Sequence, residues 1–122
     1  LFYGAKSKFE WQVGKNAKAD VWRNIMQFRP SGLRVKPPTY FPALVAITQT
    51  SIIGDRGRRI TPREAARLQN FPDSYKLAKD DRLAYKQLGN AVNVALAELF
   101  GAHLLGSTDR VRNILNSIST TK

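Results

Sequence analysis

The chain has 122 residues, with 20 Lys or Arg against nine Asp or Glu, so its formal net charge at pH 7 is +11. This length predicts one domain, or one domain with an appended segment, and a hydrophobic fraction of 43% is enough for a folded core. The absence of cysteine excludes disulfides, thiolate metal sites and a cysteine nucleophile in this chain. A single histidine excludes a histidine-based metal cluster or triad, and no apolar run approaches the roughly 18 residues of a membrane span.

The positive charge is uneven along the chain. Residues 1–59 carry eleven basic and three acidic side chains, whereas residues 60–122 carry nine and six. Such an excess favours a polyanionic partner, because neutralising phosphates releases condensed counterions. The basic residues are interleaved with Gly, Pro and aromatic residues, which favours nucleic acid over a membrane surface. A basic surface that serves only solubility is the alternative.

The first third of the chain predicts short, interrupted elements. Residues 1–19 indicate irregular structure or a short strand. Asp20 is expected to cap a short helix that extends through Phe28, because apolar residues recur there at helical spacing. The Arg29–Gly32 segment would end this helix, and prolines keep residues 34–42 extended.

The middle of the chain predicts strands and a hairpin. Ala43–Ile47 is typical of a buried strand, and Ile52–Ile53 of a second one. The second strand is expected to pair with Arg59–Ile60 across a turn, in which Gly54 and Gly57 can adopt positive φ angles.

The clearest local signal is a helix start. Thr61 at the N-cap, Pro62 at the first position and Glu64 at the third form a capping-box pattern, which predicts a helix to about Gln69. Pro72 would prevent its continuation.

The C-terminal part predicts two helices. Asn90 is a good N-cap for a helix that continues to Leu105, with Gly106 in the terminating position. Ser107–Lys122 predicts a polar helical tail.

Two longer segments carry more specific information than these helix, strand and turn signals. Arg59–Asp73 (RITPREAARLQNFPD) resembles the ninth conserved motif of the DNA cytosine-5 methyltransferases, and Tyr85–Val94 (YKQLGNAVNV) resembles the tenth. Pro42–Ile47 and the turn at Gly54 resemble the end of the target recognition domain in that family. The resemblance covers residues from about 29 to 106, and the two motifs follow each other in the family's order.

The same resemblance identifies what this chain lacks. Members of the family attack cytosine with a cysteine from a Pro-Cys motif, use a glutamate from a later motif, and bind S-adenosyl-L-methionine through a Gly-rich first motif. None of these motifs is present, so the covalent step is not expected in this chain alone. Since the chain begins with Leu1 and matches the family's C-terminal third, we expect either the small subunit of a divided enzyme or a piece of a single-chain enzyme.

The resemblance implies an edge of the S-adenosyl-L-methionine pocket in the tenth motif, shared with the missing catalytic part. In this interpretation Gly89 allows close backbone approach, while the Asn90 side chain and a helix N-terminus offer donors to the cofactor's carboxylate. The alternative is that Asn90 only caps its own helix. The implied cofactor residues are Gln87, Gly89, Asn90 and Ala91.

The resemblance also implies that residues 29–40 contain the second recognition loop of the family. Arginine can read guanine in the major groove of double-stranded DNA, and hydroxyl groups can bind bases or phosphates. The alternative is a solvated basic loop that contacts phosphates only. The implied DNA-binding residues are Arg29, Ser31, Arg34, Lys36, Thr39 and Tyr40.

The ninth motif is interpreted as a scaffold rather than a catalytic site, with direct phosphate contact as the alternative. Arg67 is expected to pair with Asp73 or with a neighbouring strand. The residues of this structural motif are Thr61, Pro62, Arg63, Glu64 and Arg67. The chain departs from the usual family pattern at Asn70, where Gly is common, and at Asn93, where Pro is common.

Together these observations predict an α+β fold. A small antiparallel β recognition domain with a capped helix (residues 1–78) is followed by a segment that contains the tenth motif, motif X (79–122). Its long helix is expected to dock on a Rossmann-like catalytic domain that this chain does not contain, and its apolar surface to promote self-association when isolated. The expected function is DNA recognition and completion of the cofactor pocket in a prokaryotic, cytoplasmic restriction-modification methyltransferase associated with the nucleoid. A stand-alone basic DNA-binding module and an inactive regulatory remnant are the alternatives.

Overall fold

The computed structural model describes residues 8–45 and 50–119. The strands are β1 (Lys8–Trp11), β2 (Ile25–Arg29), β3 (Gly32–Lys36), β4 (Ile52–Ile53) and β5 (Arg58–Arg59). They form one sheet in the order β1-β3-β2-β4-β5, in which β1 runs parallel to β3 and the other neighbours are antiparallel. The predicted α+β class is confirmed, but the purely antiparallel sheet is wrong. The tight β2–β3 hairpin leaves β3 with a free edge, and β1 pairs with that edge in the same direction.

Among the described residues, four α-helices accompany the sheet. They are α1 (Pro62–Leu68), α2 (Asp81–Asn90), α3 (Val94–Leu104) and α4 (Thr108–Ser119). The predicted C-terminal tail helix is confirmed by α4. Within the described residues, no helix combines the length and apolar character that crossing a membrane requires.

The predicted helix from Asp20 to Phe28 is wrong. Only Val21–Arg23 is helical, as a 3₁₀ turn in which the Asp20 carboxylate accepts a hydrogen bond from the Trp22 amide at 3.0 Å. The following residues form β2, which hydrogen-bonds to β3 on one side and β4 on the other. The apolar residues recur at helical spacing over less than three turns. Hydrogen bonding to a strand on each side therefore stabilises the extended conformation more than this weak helix preference stabilises a helix.

The predicted strand Ala43–Ile47 is not observed over residues 43–45, and residues 46 and 47 lie outside the described part of the chain. The second hairpin is confirmed, since β4 pairs with β5. Gly57 adopts the expected positive φ of 58°, whereas Gly54 does not. Gly54 is required for a different reason: a Cβ there would lie 2.5 Å from the carbonyl oxygen of Asn24.

The predicted capping box is confirmed at the start of α1. The Glu64 amide donates to the Thr61 hydroxyl at 3.2 Å, and the Thr61 amide donates to the Glu64 carboxylate at 2.9 Å. The same carboxylate accepts two hydrogen bonds from the Arg58 guanidinium, at 2.8 and 2.9 Å. Glu64 therefore joins the first turn of α1 to the last strand of the sheet.

The core lies where α1 meets α2, a helix that the sequence analysis missed. Ala65 and Ala66 of α1 pack with Ile60 and with Leu88 of α2, and Phe41, Leu44, Phe71 and Leu77 border this cluster. The signals for α2 were Asp80, whose carboxylate caps the Leu83 amide at 2.8 Å, and the apolar pair Ala84 and Leu88 four residues apart. The division between residues 78 and 79 stays a prediction.

The predicted start of the following helix is wrong. Asn90 is the last residue of α2, and α3 begins at Val94 with Asn93 as its N-cap, whose side chain accepts from the Leu96 amide at 3.2 Å. Three non-helical residues therefore separate two helices, whereas the sequence predicted the start of a single helix after Asn90. The end is as predicted, since Gly106 follows α3 with a φ of 67°.

The Glu64 contacts predict an acid-sensitive contribution to stability. The hydrogen bonds from Arg58, and then from the Thr61 amide, hold the pKa of Glu64 far below its ordinary value of 4.5. A carboxyl whose pKa is lowered on folding contributes stability above its unfolded pKa and loses that contribution as the pH falls towards its folded pKa. We expect Glu64→Gln to lower the free energy of unfolding by about 1–2 kcal/mol at pH 7, with a deficit that shrinks below pH 4.5.

Urea unfolding at pH 7 and pH 3 measures this difference. Glu98→Gln is the matched control: Glu98 lies 3.8 Å from Arg110 with a side chain 49% exposed, so its loss should cost less than about 1 kcal/mol at pH 7. An equal deficit for Glu64→Gln at both pH values would contradict the assigned role.

Candidate DNA interface and cofactor edge

A groove lies between the β2–β3 hairpin and the extended segment Pro42–Val45, and we call it the basic groove. Its volume is about 580 Å³. The two strands of the hairpin are joined by Pro30 and Ser31, and the pairing of Gln27 with Arg34 and of Ile25 with Lys36 sets their register. Because side chains alternate across a sheet, this register places the predicted residues of both strands on one face. Four of the six predicted DNA-binding residues line the groove: Arg29, Ser31, Arg34 and Lys36.

Two of these basic side chains are held by a carboxylate on the neighbouring strand. Glu10 of β1 accepts a hydrogen bond from Arg34 Nε at 2.8 Å and another from Arg29 Nη2. The hydrogen bond from Arg34, with that from Arg29, keeps the pKa of Glu10 below its ordinary value. The cluster is one carboxylate against two guanidinium groups, so the groove keeps a net positive charge.

The remaining two predicted DNA-binding residues lie in the turn after β3 and do not line the groove. Tyr40 is 49% exposed, and its ring lies 5.0 Å from the Lys36 ammonium. This contact is a cation–π interaction, which restrains Lys36 beside the groove. Thr39 is exposed.

The sequence analysis missed two residues of this site. Gln27 lines the groove and is 8% exposed, in register opposite Arg34. Once Ile25–Arg29 is known to be a strand, alternation places Gln27 on the face of Arg29, so the wrong helix assignment concealed it. Glu10 had no sequence signal, because its contact with β3 depends on a parallel pairing between segments far apart in the chain.

Two arginines of the predicted structural motif make hydrogen bonds within the chain. Arg67 Nε and Nη2 donate to the two oxygens of Asp73 at 2.8 and 2.9 Å, which is the expected pairing. Arg63 Nη2 donates to the carbonyl oxygen of Tyr75 at 2.9 Å. Both side chains fold back on the segment that follows α1 and hold the loop between α1 and α2.

The residues predicted to form the cofactor edge lie at the end of α2. Gln87 and Asn90 are exposed, three residues apart on one face of the helix, and make no side-chain hydrogen bond with the described part of the chain. The Ala91 amide already donates to the carbonyl oxygen of Leu88 at 3.2 Å. The side-chain amides of Gln87 and Asn90 are therefore the groups that could bind a ligand here.

A helix N-terminus does not contribute to this edge in the way expected from the sequence. At the start of α3, the Val94 amide donates to the carbonyl oxygen of Gln69 at 2.9 Å, and the Leu96 amide donates to Asn93. These groups are engaged within the chain. The alternative that Asn90 is the N-cap of the helix that follows it is also wrong, because Asn90 ends α2 and Asn93 caps α3.

α2 and α3 are joined by three residues, which is the length of the turn in a DNA-binding helix-turn-helix. The surface of α3 does not fit that role. Leu96, Phe100 and Leu104 follow one another at intervals of four residues and are 47%, 65% and 83% exposed. An apolar stripe of this kind does not suit phosphate contact, and it is typical of a surface that packs against protein.

Comparison with known proteins identifies the family of this chain. The profile of the family described as C-5 cytosine-specific DNA methylase matches residues 5–105, which is most of the chain. The chain belongs to the C-5 cytosine-specific DNA methylase family.

Several curated methylases are similar to this chain. Type II methyltransferase M.AluI from Cellulosimicrobium cellulans is 50% identical over 97 residues, which is 79% of this chain and 18% of that protein. Type II methyltransferase M.HhaI from Haemophilus parahaemolyticus is 32% identical over 77 residues, which is 63% of this chain and 23% of that protein. The chain thus spans about a fifth of the length of these methylases. No solved structure matches the chain.

The two positions at which this chain departs from the methylase motifs contact each other. Asn70 occupies the left-handed conformation that ends α1, with a φ of 60°, which Asn tolerates better than most residues. Asn93 caps α3 and also donates through Nδ2 to the Asn70 side-chain oxygen at 2.9 Å. Gln69 adds a hydrogen bond from Nε2 to the carbonyl oxygen of Leu88 at 2.8 Å. The segment that follows α1 is therefore hydrogen-bonded to both α2 and α3.

The Asn70–Asn93 contact predicts energetic coupling. We expect Asn93→Ala to cost about 1–2 kcal/mol of unfolding free energy, because it removes an N-cap and the bridge. Asn70→Gly should be nearly neutral alone, because the gain from a residue that suits the positive φ offsets the loss of the hydrogen bond with Asn93. In a double-mutant cycle measured by urea unfolding, the two changes should couple by about 0.5–1.5 kcal/mol.

Asn113→Ala on α4 provides the matched control for this cycle. Asn113 is exposed on α4, so its effect should add to that of Asn70→Gly. If the effects of Asn70→Gly and Asn93→Ala on the free energy of unfolding were additive, the hydrogen bond between the two side chains would not contribute to stability.

Proposed function

We propose that this chain is the DNA-recognition and cofactor-edge part of an S-adenosyl-L-methionine-dependent DNA cytosine-5 methyltransferase from a prokaryotic restriction-modification system. Its family and its similarity to bacterial Type II methyltransferases support the reaction class. One observation carries the division of labour: the family profile covers residues 5–105, yet the chain has no cysteine. The thiolate that such a reaction requires must then come from a separate segment or subunit.

In this proposal the basic groove binds double-stranded DNA. Arg29, Arg34 and Lys36 place three cations on one face, which suits phosphates and guanine edges. The contacts of Arg29 and Arg34 with Glu10, and of Lys36 with the Tyr40 ring, limit the rotamers that these side chains sample, so less conformational entropy is lost on binding. Ser31 at the tip of the hairpin adds a hydroxyl that can donate to or accept from DNA.

The second part of the proposal is that the end of α2 forms one edge of the cofactor pocket. When bound, S-adenosyl-L-methionine supplies the methyl group. The Gln87 and Asn90 amides offer both donors and acceptors to the polar groups of this cofactor. Gly89 and Ala91, which are small and partly exposed, keep the backbone between them accessible. In this proposal the cofactor is bound by side-chain amides and not by the helix N-terminus that was expected from the sequence.

The third part concerns the apolar stripe on α3. We assign Leu96, Phe100 and Leu104 to docking on the catalytic segment, because they are exposed on the side of α3 away from Ala102, which is only 5% exposed. In the absence of that segment, the same stripe would favour self-association of the isolated chain.

A mixing experiment tests the division of labour. The purified 122-residue chain is combined with a cysteine-bearing methylase segment from the same genome, and transfer of labelled methyl groups to duplex DNA is measured. We expect transfer only in the mixture. Transfer by the 122-residue chain alone would overturn the proposal, and DNA binding without gain of activity would favour a stand-alone binding module.

A surface variant adds a control to that experiment. Phe100→Ser should weaken the gain of activity while leaving DNA binding by the chain intact, because Phe100 is on α3 and does not line the basic groove. Asn113→Ser, at an exposed position on α4 outside the stripe, should have little effect.

The cofactor edge is tested by Asn90→Ala in the active mixture. Removing the amide should raise the KM for S-adenosyl-L-methionine about tenfold, the usual scale for one lost hydrogen bond to a charged group, with little change in DNA affinity. Asn113→Ala on α4 serves as the matched control and should change neither. Equal loss of cofactor and DNA affinity, or loss of neither, would contradict the assignment.

A further inference from the structure

Glu10 is a conspicuous acid in a basic surface. It lies on β1, in register beside Arg34 of β3, and two strands from Arg29 of β2. Gly32 stands in register between Lys8 and Arg29 and has no side chain, so nothing at that position obstructs the path from Arg29 across the sheet to Glu10. The three side chains are each about a quarter exposed, with 28% for Glu10 and 26% for each arginine.

The way in which the arginines bind Glu10 leaves particular donors available. A guanidinium has five N–H groups in a planar fork. Arg34 contacts Glu10 through Nε, so among the described contacts its Nη1 and Nη2 groups, at the far end of the fork, have no acceptor. Two parallel donors at this end match O6 and N7 of guanine in the major groove.

We propose that Glu10 is a specificity-determining positioning residue, which aligns Arg34, with Arg29 beside it, so that the Arg34 fork reads a guanine edge from the basic groove. This inference rests on the proposed DNA-recognition function. An arginine that is free to rotate would contact phosphates as readily as bases, and phosphate contacts carry affinity without sequence choice. The negative charge of Glu10 weakens the attraction of the basic groove for DNA, but its hydrogen bonds fix the direction of the Arg34 guanidinium.

The competing interpretation is that the Glu10 carboxylate occupies the place of a DNA phosphate and is displaced on binding. Both interpretations predict tighter non-specific binding when the negative charge is removed. They differ in sequence preference, which is lost without Glu10 only if the carboxylate positions Arg34.

The experiment compares Glu10→Gln with the intact chain on a pool of randomised duplex DNA. Bound duplexes are sequenced, and the dissociation constants are measured for the most enriched duplex and for a scrambled one. Asp109→Asn is the control with the same charge change, because Asp109 lies on α4 with a side chain 94% exposed. We expect Glu10→Gln to reduce the preference for the enriched duplex about tenfold, within the range for one bidentate guanine contact, whereas Asp109→Asn leaves the preference unchanged.

A second variant keeps the test decisive if Glu10→Gln disturbs the fold. Arg34→Lys retains the positive charge and a partner for Glu10, but lysine cannot present two parallel donors. It should lose the same preference while keeping the salt dependence of binding. Thermal unfolding of each variant establishes that the fold is intact.

The outcomes separate this inference from the function on which it rests. Tighter binding with unchanged preference in Glu10→Gln, or unchanged preference in Arg34→Lys, overturns the positioning role. Binding of the intact chain without any sequence preference also overturns it, but leaves DNA recognition through phosphates standing. Failure of the intact chain to bind duplex DNA contradicts the proposed function itself.

Discussion

The structure depends on a chain of hydrogen bonds that runs through α1. At its first turn, Glu64 accepts from Arg58 of the sheet and from Thr61. At its last turn, Gln69 binds the carbonyl oxygen of Leu88 through its side chain and the Val94 amide through its own carbonyl. A helix of seven residues is too short to be stable alone. The contacts at its two ends connect the sheet to the C-terminal helices.

This arrangement gives residues 59–73, the segment that resembles the ninth motif, a structural role. Small residues on α1 allow the close approach of α2, since Ala65 and Ala66 are fully buried. Arg63 and Arg67 hold the following loop through Tyr75 and Asp73. The motif thus fixes the spacing between the basic groove and the end of α2, and in the proposed enzyme that spacing relates the DNA to the cofactor edge.

Local signals in the sequence were reliable where the chemistry is local. The capping box, the Arg67–Asp73 pair and the Gly57 turn all involve residues close together in the chain, so pattern and structure agree. The helix predicted over residues 20–28 failed because β2 obtains its hydrogen bonds from distant strands. The start predicted after Asn90 failed because two asparagines three residues apart are both good caps, and only the contact with Asn70 distinguishes Asn93.

The sequence by itself determined the family resemblance, the excess of positive charge and the absence of a cysteine nucleophile, because these follow from residue identity alone. It also indicated six residues of a recognition loop, four of which the structure places in the β2–β3 hairpin, although the sequence assigned part of that hairpin to a helix. Only the tertiary structure decided that Glu10 meets Arg29 and Arg34, since a parallel pairing across more than twenty residues leaves no periodic trace in the chain. The direction in which a basic side chain points is set by such distant partners.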